Sequence, residues 1–162
     1  LDRLIVHTRD PRQATLSWYH HFDRLRREHS DGVNYTIHQA PDGYDLWDQS
    51  VKLDWHISTH LQSCVSWISD WVKYSENSSE VNILFTQYED FVDNQAEFFA
   101  RIINFYNIDQ NLFKISVPEK TIENNYRSGK KDEWETVFTP EQRDTATNLI
   151  GPELLKRFNW TT

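Results

Sequence analysis

The stretch Leu4-Ile5-Val6-His7-Thr8-Arg9-Asp10-Pro11-Arg12 decides how the chain is read. Leu4-Ile5-Val6 is a short apolar run with two β-branched residues, and it stops at Thr8-Arg9, the pattern of a buried strand. Asp10-Pro11 then supplies a helix N-cap followed by proline at the first helical position. Gln13, three residues after the cap, completes a capping-box-like pattern. A helix is predicted over Pro11–Glu28. A strand that stops at an arginine and turns into a capped helix sets a guanidinium beside helix N-terminal amides, a combination that favours a phosphate. Ser17, eight residues after Arg9, adds a hydroxyl if it lies on the side over which the arginine leans. Spacing alone leaves a second reading open, in which Arg9 pairs with an acid at the strand end and Ser17 caps nothing.

The same pattern returns further along the chain. Val81, Ile83 and Phe85 alternate in a strand predicted over 81–86, which runs through Tyr88-Glu89-Asp90 into a helix ending near Asn107. Two strand-then-helix units are the signature of an α/β fold with parallel strands. Between them, residues 30–44 collect Asp, Gly, Asn and Pro without a period and read as a loop that could border a site. Residues 48–74 carry a long helical pattern through Val51, Trp55, Leu61, Val65, Ile68 and Val72, ended by Glu76-Asn77-Ser78-Ser79. Trp55, Trp67 and Trp71 form a helix stripe expected to pack in the core. Residues 108–138 read as irregular apart from a short strand at 114–117. Thr139-Pro140-Glu141-Gln142 is a full capping box that opens a last helix running to about Phe158.

At 162 residues the chain fits one domain, and no apolar run approaches the roughly 18 residues of a membrane span. Seventeen Lys and Arg against 25 Asp and Glu give a net charge of -8, which disfavours broad attraction to nucleic acid or to an anionic membrane. An anionic ligand must therefore be held by a local cluster. Basic character sits in two short islands, around Arg9/Arg12 and around Arg127/Lys130/Lys131, while residues 31–118 carry a net charge of -9. If the fold brings the islands together, they form one anion site. Cys64, the one cysteine, excludes an internal disulfide and a Cys-rich zinc site, and it fits a reducing, cytoplasmic compartment. Three sequons, at Asn34, Asn77 and Asn159, are close to what eleven asparagines give by chance; a Golgi lumen is the expectation if they are used. The chain contains no methionine and opens on Leu1 inside strand-like sequence, without a signal-peptide pattern, so it is expected to be a segment of a longer protein.

Three segments resemble, in order, the sulfotransferases that use 3'-phosphoadenosine-5'-phosphosulfate (PAPS). Arg9-Asp10-Pro11-Arg12 with Ser17 is similar to the family's 3'-phosphate-binding segment. Ile83-Leu84-Phe85-Thr86-Gln87-Tyr88-Glu89-Asp90 is similar to its strand ending in Tyr-Glu-Asp, whose tyrosine contacts the adenine. Tyr126-Arg127-Ser128-Gly129-Lys130-Lys131-Asp132-Glu133-Trp134, followed by Phe138-Thr139, resembles its Arg-x-Gly loop and the trailing Trp and Phe-Thr. The resemblance implies a P-loop-NTPase-like parallel sheet flanked by helices, seen here as its C-terminal part. It also implies that Arg9 and Ser17 hold the 3'-phosphate, that Arg127, Ser128 and Gly129 close over it, and that Tyr88 meets the adenine. The donor would be PAPS and the product 3',5'-ADP. The acceptor would be a small molecule, glycan or peptide, with no nucleic acid and no membrane span involved. The residues themselves agree, because Gly129 gives the close backbone approach a phosphate-clasping loop needs.

Sulfuryl transfer needs an in-line geometry, cations on the bridging and peripheral oxygens, and a base for the acceptor. The family supplies these from a Gly-rich phosphosulfate loop with Lys or Arg and from a His or Glu, all upstream of the Arg-to-Ser segment. The four glycines, at 32, 43, 129 and 151, form no such loop. The catalytic base and the loop lysine are accordingly expected before Leu1, in a missing N-terminal part of the same protein. Two strand-helix units do not close an open sheet, so residues 1–162 read as one incomplete domain, inactive alone. Two alternatives remain: a non-catalytic phosphoadenosine- or nucleotide-binding module, and another P-loop-type phosphotransferase. His56 and His60 stand at i and i+4, but Ile57 occupies the place where a HExxH pattern needs its Glu, so no metal is expected. Partner hydrogen bonds are expected for His7, His20 and His21, and capping or local pairing for Glu89 and Asp90.

Overall fold

A computed structural model describes residues 2–28, 40–109, 111 and 129–160. The chain divides into two compact units, Leu1–Arg9 with Trp71–Lys131, and Asp10–Asp70 with Asp132–Thr162. Each is built from the patterns above, with local departures.

In the first unit β1 (Arg3–Thr8) pairs in parallel with β2 (Asn82–Gln87), in a register running from Arg3↔Asn82 to Thr8↔Gln87. The α/β reading with parallel strands therefore holds, within a helix-rich molecule. Val6, Thr8 and Thr86 are buried, and the Thr8 hydroxyl donates to the Thr86 carbonyl at 3.2 Å, so the polar members of the sheet are satisfied where the strands end. The helix predicted to follow β2 is instead two helices, α4 (Tyr88–Asp93) and α5 (Gln95–Phe105), broken at Asn94 with φ -149° and ψ 88°. Asn94 caps α5 by accepting from the Glu97 amide at 3.2 Å, while its own side-chain amide donates to the Glu97 carboxylate at 3.1 Å. An Asn three residues before a Glu competes with the helix ladder and starts a new helix. Phe91, Phe98 and Phe99 then meet edge to face, with centroids 5.4 to 6.0 Å apart.

In the second unit α1 occupies Pro11–Glu28 as predicted and buries Leu16, Tyr19 and Phe22 at helical spacing. Its capping box does not form. The Asp10 carboxylate accepts from the Arg12 amide at 2.9 Å, but the Gln13 side-chain oxygen accepts from the Trp134 amide at 3.2 Å instead of turning back to the cap. The 48–74 pattern appears as α2 (Gln49–His56), a π-helical turn at Ile57–Leu61 and α3 (Gln62–Asn77), with Asp48 capping α2 through the Val51 amide at 2.9 Å. A π turn inserts a residue and rotates everything after it by about 100° relative to a regular helix. The expected tryptophan stripe is not uniformly buried. Trp55 packs with Phe22 and Tyr44, whereas Trp67 is 48% exposed. A short helix, α6 (Trp134–Val137), lies inside the stretch read as irregular.

The last helix, α7 (Pro140–Phe158), carries the full Thr139/Gln142 capping box. Gly151, at φ 78° and ψ 156°, interrupts it just before Pro152, a backbone conformation only glycine adopts without strain. Most of the 30–44 loop and the 114–117 strand lie outside the described residues. Among the described residues no helix is long and apolar enough to cross a membrane.

Candidate functional site

The register of the sheet sets the site. Since Thr8 and Gln87 are the last pair, Arg9 and Tyr88 are the next residues of their two segments. The Arg9 guanidinium carbon lies 4.2 Å from the centroid of the Tyr88 ring, and its Nη2 donates to the Lys130 carbonyl at 3.1 Å. Three segments distant in sequence thus meet around one guanidinium: the end of β1, the start of α4 and the stretch 129–131. The two basic islands come together here, through Arg9 and Lys130. A guanidinium over an aromatic face keeps its N–H groups in the plane for oxygen acceptors, as the Nη2 bond to the Lys130 carbonyl shows. Tyr88 is half-buried, not a core aromatic.

The stretch that reaches Arg9 is held on its other side as well. Gly129 has φ 65°, and Lys131 Nζ bonds Asp93 at the end of α4, 2.7 Å from Oδ2. Asp90 pairs with Arg101 at 2.7 Å and its carbonyl accepts from the Asn94 amide, the local pairing expected of it. On β1, His7 Nδ1 lies 2.9 Å from the Thr86 hydroxyl, and its ring stands edge-on to Phe98. His7 keeps an exposed side, yet lost hydration on its packed side lowers the pKa from the ordinary 6.5, with Asp90 opposing.

Of the other residues singled out from sequence, Ser17 is half-buried on α1 in the second unit, and Arg127 and Ser128 lie outside the described residues. Arg12 corrects the reading of the first basic island. It is fully buried, its Nε and Nη2 meet the Asp10 carboxylate at 3.0 and 2.7 Å, and its guanidinium carbon lies 3.9 Å from the Trp134 centroid. Its Nη1 donates to the Thr147 hydroxyl at 3.1 Å. A cation neutralised this way belongs to the fold, which leaves Arg9 as that island's candidate for a ligand. Sequence reasoning counted Lys130 as a charge and missed its carbonyl; the signal was Gly129 beside it, which marks a backbone meant to approach something.

The histidine pair on the long helix separates at the π turn. His56 is fully buried with Nε2 3.0 Å from the Tyr44 hydroxyl, and His60 Nδ1 lies 3.2 Å from the Thr15 hydroxyl. Burial pushes the neighbouring Cys64 thiol up to about 11. His21 Nδ1 lies 3.2 Å from Arg24 Nη2, a partner of the kind expected for it. Two clefts of about 620 and 490 Å³ in the second unit have linings that include none of the sequence-predicted site residues.

A family model described as the sulfotransferase domain matches residues 2–159, all of the chain but its first residue and its last three. Among curated proteins and among solved structures nothing matches.

Proposed function

The chain belongs to the sulfotransferase family, and from that premise we propose that it supplies the 3'-phosphate and adenine contacts for sulfuryl transfer from PAPS to a hydroxyl or amine. The observation that carries the reading is Arg9, stacked on Tyr88 and bonded to the Lys130 carbonyl. Those are the three segments that the motifs nominated independently. In this reading Arg9 directs its in-plane N–H groups at the 3'-phosphate and Tyr88 offers its ring to the adenine. The backbone at Gly129, with Arg127 and Ser128, covers the phosphate. Ser17 enters from its sequence spacing to Arg9.

The residues 1–162 then form the cofactor-clasping part of one P-loop-like domain. The acceptor oxygen or nitrogen attacks sulfur, the bond from sulfur to the bridging oxygen of the 5'-phosphate breaks, and 3',5'-ADP leaves while the acceptor's proton passes to a base. In this reading the residues of this chain hold the nucleotide end of the donor. Acceptors of the small-molecule, glycan or peptide classes fit, and the single half-buried Cys64 suits a cytoplasmic setting. A nucleotide-binding module without catalysis would use the same contacts.

Calorimetry of the full chain with 3',5'-ADP and with 5'-AMP tests the assignment. Charged hydrogen bonds to one extra phosphate favour 3',5'-ADP by about tenfold to a hundredfold. Equal affinity for the two nucleotides would refute the 3'-phosphate site.

A further inference from the structure

The contacts around Arg9 close into a ring that lies wholly within the first unit. The Arg9 guanidinium lies on Tyr88, the first residue of α4, and its Nη2 donates to the Lys130 carbonyl at 3.1 Å. Lys131, the next residue, donates through Nζ to both carboxylate oxygens of Asp93, 2.7 Å from Oδ2. Asp93 is the last residue of α4. The helix is thus a spacer of about 9 Å, with the aromatic platform for Arg9 at one end and the ion pair at the other.

Stability alone does not account for that ion pair. Its side chains are 41 and 59% exposed, and a pair so open adds little to global folding. A carboxylate in the last turn of a helix also meets the negative end of the helix dipole, where an uncharged residue suits the helix better. Its place makes sense from the other partner's side. Residues 129–131 belong to neither helix nor strand, and Gly129 at φ 65° turns the backbone in a way that favours glycine. Where the Lys130 carbonyl sits therefore depends on what ties its neighbours down, and Lys131 is tied to the helix that carries Tyr88.

We propose that Asp93 and Lys131 are positioning residues for the anion site at Arg9: their ion pair latches the Lys130 carbonyl against Nη2 and so fixes the rotation of the guanidinium on Tyr88. The inference rests on the functional reading above, and in it neither residue touches the nucleotide. Anchoring one edge of a planar guanidinium sets the direction of its other N–H groups. An arginine oriented before binding has less freedom to lose when a phosphate arrives. The rival role for Lys131, a cation that meets the phosphate itself, predicts the opposite response to loss of Asp93, because a released ammonium and a missing negative charge both favour an anion.

The ratio of 3',5'-ADP to 5'-AMP affinity, measured by calorimetry on the full chain, separates the two roles. In Asp93→Asn the ratio falls by about twofold to fivefold, with 5'-AMP affinity unchanged because Tyr88 keeps its helix. Lys131→Gln lowers it equally, and the double variant falls no further than either single one, since all three remove the same interaction. Melting temperatures stay within about 2 °C of wild type, as expected for exposed side chains. A ratio that holds or rises in Asp93→Asn overturns the latch, and so do losses that add in the double variant. A much lower melting temperature also overturns it, because the pair would then serve the fold. A wild-type chain that does not distinguish the two nucleotides overturns the functional reading and the latch with it, so the wild-type measurement tells the two failures apart.

Discussion

Arg9 and Arg12 stand three residues apart in one motif, carry the same charge and belong to different compact units, and the structure uses them in opposite ways. Arg9 sits half-buried at the ends of two parallel strands, its plane against Tyr88 and one edge on a backbone carbonyl. Arg12 is sealed against Asp10, Trp134 and Thr147 with no exposed surface. The difference teaches that a basic cluster in a sequence counts charges, whereas the burial and the counter-charge around each arginine separate one locked into the fold from one that is not. An ion pair as deep as Asp10–Arg12 yields no attraction for a ligand; its electrostatics are spent on holding the helix start.

The hardest way to break this contrast is Asp10→Ala. It leaves a guanidinium buried without its carboxylate and is expected to cost about 3–5 kcal/mol in urea unfolding. A loss below about 1 kcal/mol would mean that water reaches Arg12, and the distinction between the two arginines would fail.

Much of this was legible before any coordinates. The strand, cap and helix of residues 3–28, the parallel pair and the capping box at Thr139 all follow from local patterns that agree with the fold. Arg9, Tyr88 and the Gly129 loop were nominated from three separate motifs, and the described parts of them do converge. What was not legible depends on partners distant in sequence. Gln13 looked like a capping residue because only its local option is visible in sequence; Trp134, 121 residues away, offered a better one. The π turn at Ile57–Leu61 is anticipated by no periodicity count, since one inserted residue changes the phase without changing the composition, and nothing in the spacing of the tryptophans marks Trp67 as exposed. The break at Asn94 could have been read, because its capping signal is of the same kind as the one recognised at Thr139.

A smaller effect sharpens the comparison from the first unit's side. His7 has a folded pKa below its unfolded value of 6.5, so in the window beneath 6.5 the unfolded chain binds more protons than the folded one. Its contribution to stability is complete above pH 6.5, falls as the pH drops through that window to the folded pKa, and levels off below it. Melting temperatures recorded between about pH 5 and pH 7.5 show that slope in the wild type and a flatter one in His7→Asn. An identical slope in the variant would show that the ring is as well hydrated as a free histidine.

The central claim, that of the two neighbouring arginines Arg9 serves the ligand and Arg12 the fold, is tested most directly by melting Arg9→Ala with and without excess 3',5'-ADP. Without nucleotide the variant melts within about 2 °C of wild type, since a half-exposed side chain is removed. With nucleotide at about a hundred times its dissociation constant the wild type rises by about 5 to 10 °C, and the variant loses most of that rise at the same concentration. An unliganded variant that melts as low as Asp10→Ala, or one that keeps the full rise, would contradict the account.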